Sequence, residues 1–244
     1  MSSTEYHSYN SNSETPSFDT ILVPQGMEYK TVCQGIGKNL AKLNVIAIPA
    51  GIQPLTKFLK QWQQFPNFFD KVPQGLILMG LGGSLSLNYS VGEIILYKKC
   101  GSMDDAQKDK SECNQFLIDK LLQRLGKETI MGEGISSDRI ICSADEKLSL
   151  GKKYQADVVD MEGYALLNWS NKLGIPVAMI RVISDGCEQD LPDLTEAFGE
   201  NGNLQPFILA RQMLKKPSSS LHLISSSLKS LQVLKQVANK IGKD

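Results

Sequence analysis

The stretch VVDMEGYALLNWSNKLGIPVAMIRVISD, residues 158–185, decides the reading of the whole chain. Val158-Val159 closes an apolar run, and Asp160-Met161-Glu162-Gly163 forms a turn. Ala165, Leu166, Trp169 and Leu173 then recur at helical spacing, which predicts a helix with one apolar face. Gly174 stops that helix and Pro176 keeps it from restarting. The β-branched run Ile175–Ile183 is long enough for a buried parallel strand, and it carries Ser184-Asp185 at its C-terminal end. Ligands of open α/β sheets bind at that edge. Strand, helix and strand together deliver two carboxylates, Glu162 and Asp185, to one edge of one sheet.

Composition removes several function classes. Lys plus Arg equals Asp plus Glu at 26 each, so no global charge draws the chain to nucleic acid or to an anionic membrane. The five cysteines (33, 100, 113, 142 and 187) are scattered without a CxxC pair, which predicts a reduced compartment and no structural zinc. No apolar run reaches the ~18 residues of a membrane span, and no signal-like segment opens the sequence. A cytoplasmic protein is expected. The two histidines, His7 and His222, lie in a polar tail and near the C-terminus. That placement leaves no core histidine for a Ser-His-Asp or Cys-His mechanism, nor for a histidine metal site. No metal and no cofactor is expected.

Residues 1–17 are rich in Ser, Asn, Thr and Glu and predict a disordered tail, with one α/β domain over 18–244. A strand at Thr20–Val23 leads into Gly26-Met27-Glu28 and a helical segment to Ile36. A second strand, Val45–Pro49, precedes a helix over Pro54–Phe65. The third strand, Gly75–Met79, opens into a glycine turn, Gly80-Leu81-Gly82-Gly83-Ser84, whose bare N–H groups could meet a ligand. Neither a Walker nor a G-x-G-x-x-G spacing is present there. Gly101–Ser111 reads as a surface loop, Cys113–Leu125 as a helix, and Ile140–Ser143 as a strand followed by Ala144–Lys147. Beyond Asp185 come a loop over Gly186–Asn203, a helix over Leu204–Lys215, a break at Ser218–Ser220 and a final amphipathic helix, Leu221–Ile241.

The MEG turn, its helix and the RVISD strand end resemble the nucleoside phosphorylase and methylthioadenosine/adenosylhomocysteine nucleosidase superfamily, and weaker similarity extends over about Ile21–Leu214. The resemblance implies a three-layer αβα fold around a mixed, largely parallel sheet. It also implies a homo-oligomer. By the same resemblance Asp185 protonates the leaving base, Glu162 accepts the ribose hydroxyls, and Met161 lies against the sugar. Gly80, Leu81, Gly82 and Gly83 match the loop that holds the sugar and the nucleophile, with Leu81 where that loop has Ser. Ser184 belongs to the same strand end. Asp145 matches the S-G-D run that precedes a base-stacking aromatic, but Lys147 stands in the aromatic's place. Arg181 reads as a scaffold or subunit-contact residue.

The chemistry fits the residue types. Cleaving an N-glycosidic bond needs a proton for the leaving base, a carboxylate near the cationic sugar, and a nucleophile. Phosphorolytic relatives bind phosphate with arginines, yet only four of the basic residues here are Arg and none precedes Arg124, which favours water. The family's water-orienting Glu aligns with Lys30, leaving Glu28 two residues early. Glu28 is therefore the candidate base and Lys30 a possible anion site. The expected activity is cleavage of a purine nucleoside by hydrolysis. The alternatives are a phosphate-dependent phosphorylase and a non-catalytic nucleoside-binding relative. The partner is a small nucleoside, with phosphate in the phosphorylase alternative, and neither nucleic acid nor membrane.

Overall fold

The computed structural model describes residues 17–66, 68, 72–104, 110–193 and 217–243, with backbone alone at 217–220 and 222. The expected tail up to residue 16, the loop from 194 onward and the helix Leu204–Lys215 lie outside these residues. The chain is an α/β fold with one mixed sheet of eight strands among the described residues. The strands are β1 (Thr20–Pro24), β2 (Asn44–Ile48), β3 (Leu76–Ser84), β4 (Ile94–Ser102), β5 (Ser111–Glu112), β6 (Thr129–Ser136), β7 (Val158–Asp160) and β8 (Val177–Asp185). Five pairings are parallel: β1 with β2, β1 with β3, β3 with β8, β4 with β6, and β6 with β7. The other three are antiparallel.

The apolar runs of the sequence form the interior. Leu76–Met79 of β3 and Ala178–Ile183 of β8 have no exposed surface. Both run in register, from Leu76↔Val177 to Gly82↔Ile183. Strands β3, β8, β4, β6 and β7 pair in a closed ring, because β7 returns to bond the far end of β3 at Gly83 and Ser84. The outer edge of β3 is consequently divided. Strand β1 bonds it at Leu76–Leu78 and β7 bonds it at Gly83–Ser84. Between these pairings the sheet forks.

Helices α1 (Met27–Ile36), α2 (Ile52–Gln63), α3 (Gln115–Leu125), α4 (Ala144–Tyr154), α5 (Gly163–Leu173) and α6 (Pro217–Gly242) pack around the sheet. Helix α1 crosses α6 at Gly35, where an added Cβ would lie 2.5 Å from the Lys235 carbonyl oxygen. Helix α2 packs on α5 through a Trp62–Trp169 stack with ring centroids 5.7 Å apart. It also buries Leu55 and Leu59 completely, each stabilising by roughly 1.5–3 kcal/mol. Asn114 and Ser143 cap α3 and α4 by accepting the N–H groups of Leu117 and Glu146. Gly174 ends α5 in the left-handed conformation, at φ 68°. No helix among the described residues is long and apolar enough to cross a membrane.

Several expectations change. The glycine stretch Gly80–Ser84 is not a turn but the second half of β3. Strand β4 continues through Gly101 and Ser102, where a loop was expected. Ile140–Ser143 takes no regular structure, and Ala144–Lys147 is the first turn of α4. Strand β6, which the sequence did not announce, holds the middle of the ring. Ser218–Ser220 does not break α6 but forms its first turn behind Pro217, a position where proline's missing N–H costs nothing.

Candidate active site

The fork in the sheet opens into a cavity of about 560 Å³. Its walls include Glu28 from α1, Leu81, Gly82 and Gly83 from β3, Met161 and Glu162 from the β7–α5 turn, and Ser184 and Asp185 from β8. Eight of the sequence-identified residues therefore meet in one place. The rim is apolar: Ile224, Leu228 and Leu231 of α6 and Met27 of α1 border it.

Glu28 enters by an unforeseen route. Leu81 lies in the stretch of β3 that neither β1 nor β7 pairs, and its N–H donates to Glu28 Oε2 at 2.8 Å. The carboxylate takes the place of a strand. Loss of water around the carboxyl, reinforced by the charge of Glu162, pushes its pKa up from the ordinary 4.5 to about 7, against the pull of Arg181 and the Leu81 N–H.

Arg181 takes the scaffold role, one of the two that its strand position suggested. It is wholly buried behind the cavity lining and braces two of the site's acids. Its Nε donates to Asp160 Oδ2 at 3.0 Å, and its Nη2 donates to Glu162 Oε2 at 3.0 Å. Nη1 has no hydrogen-bond partner among the described residues. Gly80 sits opposite Arg181 in the β3–β8 register. A Cβ there would lie 2.4 Å from Arg181 Nη1 and 2.6 Å from Glu28 Oε2. So Gly80 does not line the cavity. It makes room for the guanidinium and the acid to face each other. Gly83 has a similar use, since its Cβ would lie 2.9 Å from Asp185 Oδ2.

Glu162 caps α5 without a side-chain bond to its own helix. Instead its Oε1 accepts the N–H of Gly51 at 3.1 Å, while Oε2 faces Arg181. Burial pushes its carboxyl up against the attraction of Arg181. Asp160 is braced by the Ser136 hydroxyl and by the Gly163 N–H at 3.1 Å.

Two placements depart from expectation. Lys30 is exposed on α1 and does not border the cavity; a helical turn that brings Glu28 inward carries residue 30 outward. Lys147 does not present itself to a ligand either. It is fully buried, and its Nζ bonds Asp185 Oδ2 and the Gly186 carbonyl oxygen, the latter at 2.8 Å. Ser184 Oγ lies beside Asp185 Oδ1, and 3.2 Å from the Gly82 carbonyl oxygen. Both oxygens of Asp185 are thus held.

Signals for these residues existed. An arginine inside an otherwise apolar strand must be paired to be buried, and Asp160 and Glu162, at the other end of the strand–helix–strand unit, were candidate partners. Nothing in Asp145-Glu146-Lys147 marks the third residue as the internal one.

The comparisons agree with this architecture. A family profile described as "Phosphorylase superfamily" matches residues 5–215. A 5′-methylthioadenosine/S-adenosylhomocysteine nucleosidase of Helicobacter pylori is 18% identical with a TM-score of 0.61, covering 89% of this chain and 96% of its own. The corresponding nucleosidase of Campylobacter jejuni is 15% identical with a TM-score of 0.62, covering 92% and 100%. A futalosine hydrolase of Helicobacter pylori is 15% identical with a TM-score of 0.61, covering 89% and 96%. With its sheet, its MEG turn and its RVISD strand end accounted for over that length, the chain belongs to the phosphorylase superfamily.

Proposed function

We propose that the chain is a nucleoside N-ribosyl hydrolase. The observation that carries this reading is the convergence of Glu28, Glu162 and Asp185 on one cavity. An acid with a pKa near neutrality stands on one wall and Asp185 on another, with the buried Arg181 guanidinium behind the lining. Glu28 takes a proton from water, and the water attacks C1′. Glu162 and Met161 hold the ribose, with Glu162 offsetting the charge of the cation-like transition state. Asp185 delivers a proton to the departing base, and Ser184 fixes its rotamer. Leu81, Gly82 and Gly83 form the floor.

Hydrolysis is favoured over phosphorolysis by the state of the cations around the cavity. Arg181 faces Asp160 and Glu162, Lys147 faces Asp185, and Arg139 at the rim is paired with Glu146. Phosphate would have to compete with a carboxylate for each. The two enzyme types among the structural relatives are a nucleosidase and a hydrolase by name, which supports the same choice. Their substrates differ, so the base and the 5′ substituent are properties to be measured.

The reading carries further parts. The two helix pairs, α1 with α6 and α2 with α5, support the three-layer αβα arrangement of a single domain over 18–244. The exposed Leu221, Ile224 and Leu228 of α6 support a homo-oligomer in which a second copy covers them. The cell compartment is cytoplasmic and the partner is a free nucleoside.

The test is release of free base from adenosine, inosine, methylthioadenosine and adenosylhomocysteine, each with and without phosphate. Release without phosphate, lost in Asp185→Asn, is expected. Release only with phosphate would establish a phosphorylase, and calorimetric binding without release would establish a binding protein.

A further inference from the structure

Lys147 is a charged residue sealed inside the protein. Its side chain is 1% exposed, and that of Asp185 is 16% exposed. The sequence puts it there through local geometry. Ser143 caps α4, Asp190 Oδ1 accepts the Ala144 N–H at 2.8 Å, and the Leu191 N–H bonds the Cys142 carbonyl oxygen at 2.8 Å. The start of α4 is thereby tied to the loop that follows Asp185, and Lys147, in the first turn, points at the end of β8. Its polar neighbours are the Asp185 carboxylate and the Gly186 carbonyl oxygen. Among the described residues the other ionisable groups nearby are Glu146, which pairs with Arg139, Asp190, which accepts the Ala144 N–H, Cys187, whose thiol burial pushes up, and Glu188, which acts on the same thiol.

Among the described residues this buried ammonium has one carboxylate partner, a costly arrangement. It is intelligible if the ammonium acts on Asp185. A carbonyl oxygen cannot carry a proton away, so the exchange path open to Lys147 runs through Asp185 to the cavity.

We propose that Lys147 is a positioning residue for leaving-group protonation, holding Asp185 toward the base and returning to it the proton that the base removes. The proposal rests on the hydrolase reading above. When the N–C1′ bond breaks, its electron pair goes to the base nitrogen, and Asp185, a carboxylate beside the Lys147 ammonium, relays one proton from Nζ to the base. The relay leaves Asp185 a carboxylate again and Lys147 a neutral amine. Water gives one proton to Glu28 and its oxygen to C1′. After the base departs, Glu28 releases its proton to solvent, and one proton returns from solvent through Asp185 to Lys147.

The experiment compares wild type, Lys147→Met and Lys147→Arg on two substrates, the cleaved nucleoside and 4-nitrophenyl riboside. The nitrophenolate leaves as a stable anion and needs no proton. In Lys147→Met, kcat on the nucleoside should fall by about 10²-fold or more, the low end of what general acid catalysis contributes. KM should change little, and the nitrophenyl substrate should be turned over at near wild-type rate. Lys147→Arg keeps the charge but cannot give up a proton, so it should show the same selective loss. Equal losses on both substrates would reduce Lys147 to a structural residue and overturn the proposal. So would a nucleoside rate left unchanged by Lys147→Met. A nucleoside rate restored by Lys147→Arg would overturn the proton return. Wild-type protein inactive on both substrates would sink the hydrolase reading itself, a failure visible before any variant is made.

Discussion

Replacing Glu28 by Gln should make the protein more stable and nearly inactive. The substitution keeps the length of the side chain and an oxygen to accept the Leu81 N–H, and it removes only the ionisation. In the unfolded chain this carboxyl titrates near 4.5, and in the fold near 7. Between those values the folded protein holds a proton that the unfolded chain has released. The group's contribution to stability therefore falls as pH rises from about 4.5 to about 7, and above 7 the fold bears the full cost, about 3 kcal/mol. Gln behaves as the protonated form at every pH. Urea unfolding at pH 8 should show Glu28→Gln more stable than wild type by up to about 3 kcal/mol, with the gap closing below about pH 4.5. Activity should move the other way. Wild-type kcat/KM should rise with pH through a midpoint of about 7, as the carboxylate becomes available to accept a proton from water. The variant should lose that limb and about 10²- to 10⁴-fold in rate. An active variant would show that the carboxyl is not the base, and a variant no more stable than wild type at pH 8 would show that it is not desolvated.

Two other perturbations follow from the same geometry. Gly80→Ala places a methyl 2.4 Å from Arg181 Nη1 and 2.6 Å from Glu28 Oε2. It should cost about 10²-fold in kcat, the scale of an ångström-level misplacement, with the circular dichroism spectrum unchanged; wild-type turnover would mean that the two side chains need not face each other. Arg181→Met strands two buried carboxylates and should destabilise by about 3–5 kcal/mol, read as a lower urea midpoint. A loss below about 1 kcal/mol would show that Asp160 and Glu162 do not depend on it.

What the sequence disclosed, and what it withheld, divides along range. The segment Val158–Asp185 was legible because every decision in it is local. Apolar spacing makes α5, Gly174 ends it, and a β-branched run makes β8, with bounds that the structure keeps closely. Gly80–Ser84 misled because glycines near a strand end resemble a turn, whereas here they are absences of side chain required by Arg181, Glu28 and Asp185 on other elements. Strand β6 was hidden for a similar reason. Its Gly132 and Gly134 interrupt the alternation, yet a Cβ at Gly134 would lie 2.0 Å from the Tyr97 ring and one at Gly132 would lie 2.8 Å from Ile95 Cγ2. Lys147 and Asp185 stand 38 positions apart, so no local pattern could join them. The offset of Glu28 from the family position looked like a defect, but α1 begins at Met27, directly after Gly26 at φ 100°, and that start turns Glu28 toward β3.

Burial and the charges around the cavity then explain why Glu28 is poised near neutrality. Four carboxyls converge there: Glu28, Asp160, Glu162 and Asp185. Two buried cations answer them, Arg181 for Asp160 and Glu162, and Lys147 for Asp185. Among the described residues Glu28 has no cation within salt-bridge distance and depends on the Leu81 N–H and the more distant field of Arg181. Loss of water around it, with the charge of Glu162 added, outweighs these and drives it to hold a proton. The excess of these carboxyls over the cations favours a ligand that becomes positive during reaction. A ribosyl group developing cationic character beside Glu162 would supply the missing charge inside a site already shaped to receive it, with no reorganisation of the protein. Glu28 would then ionise most readily when the sugar is most cationic, which is when water must be deprotonated.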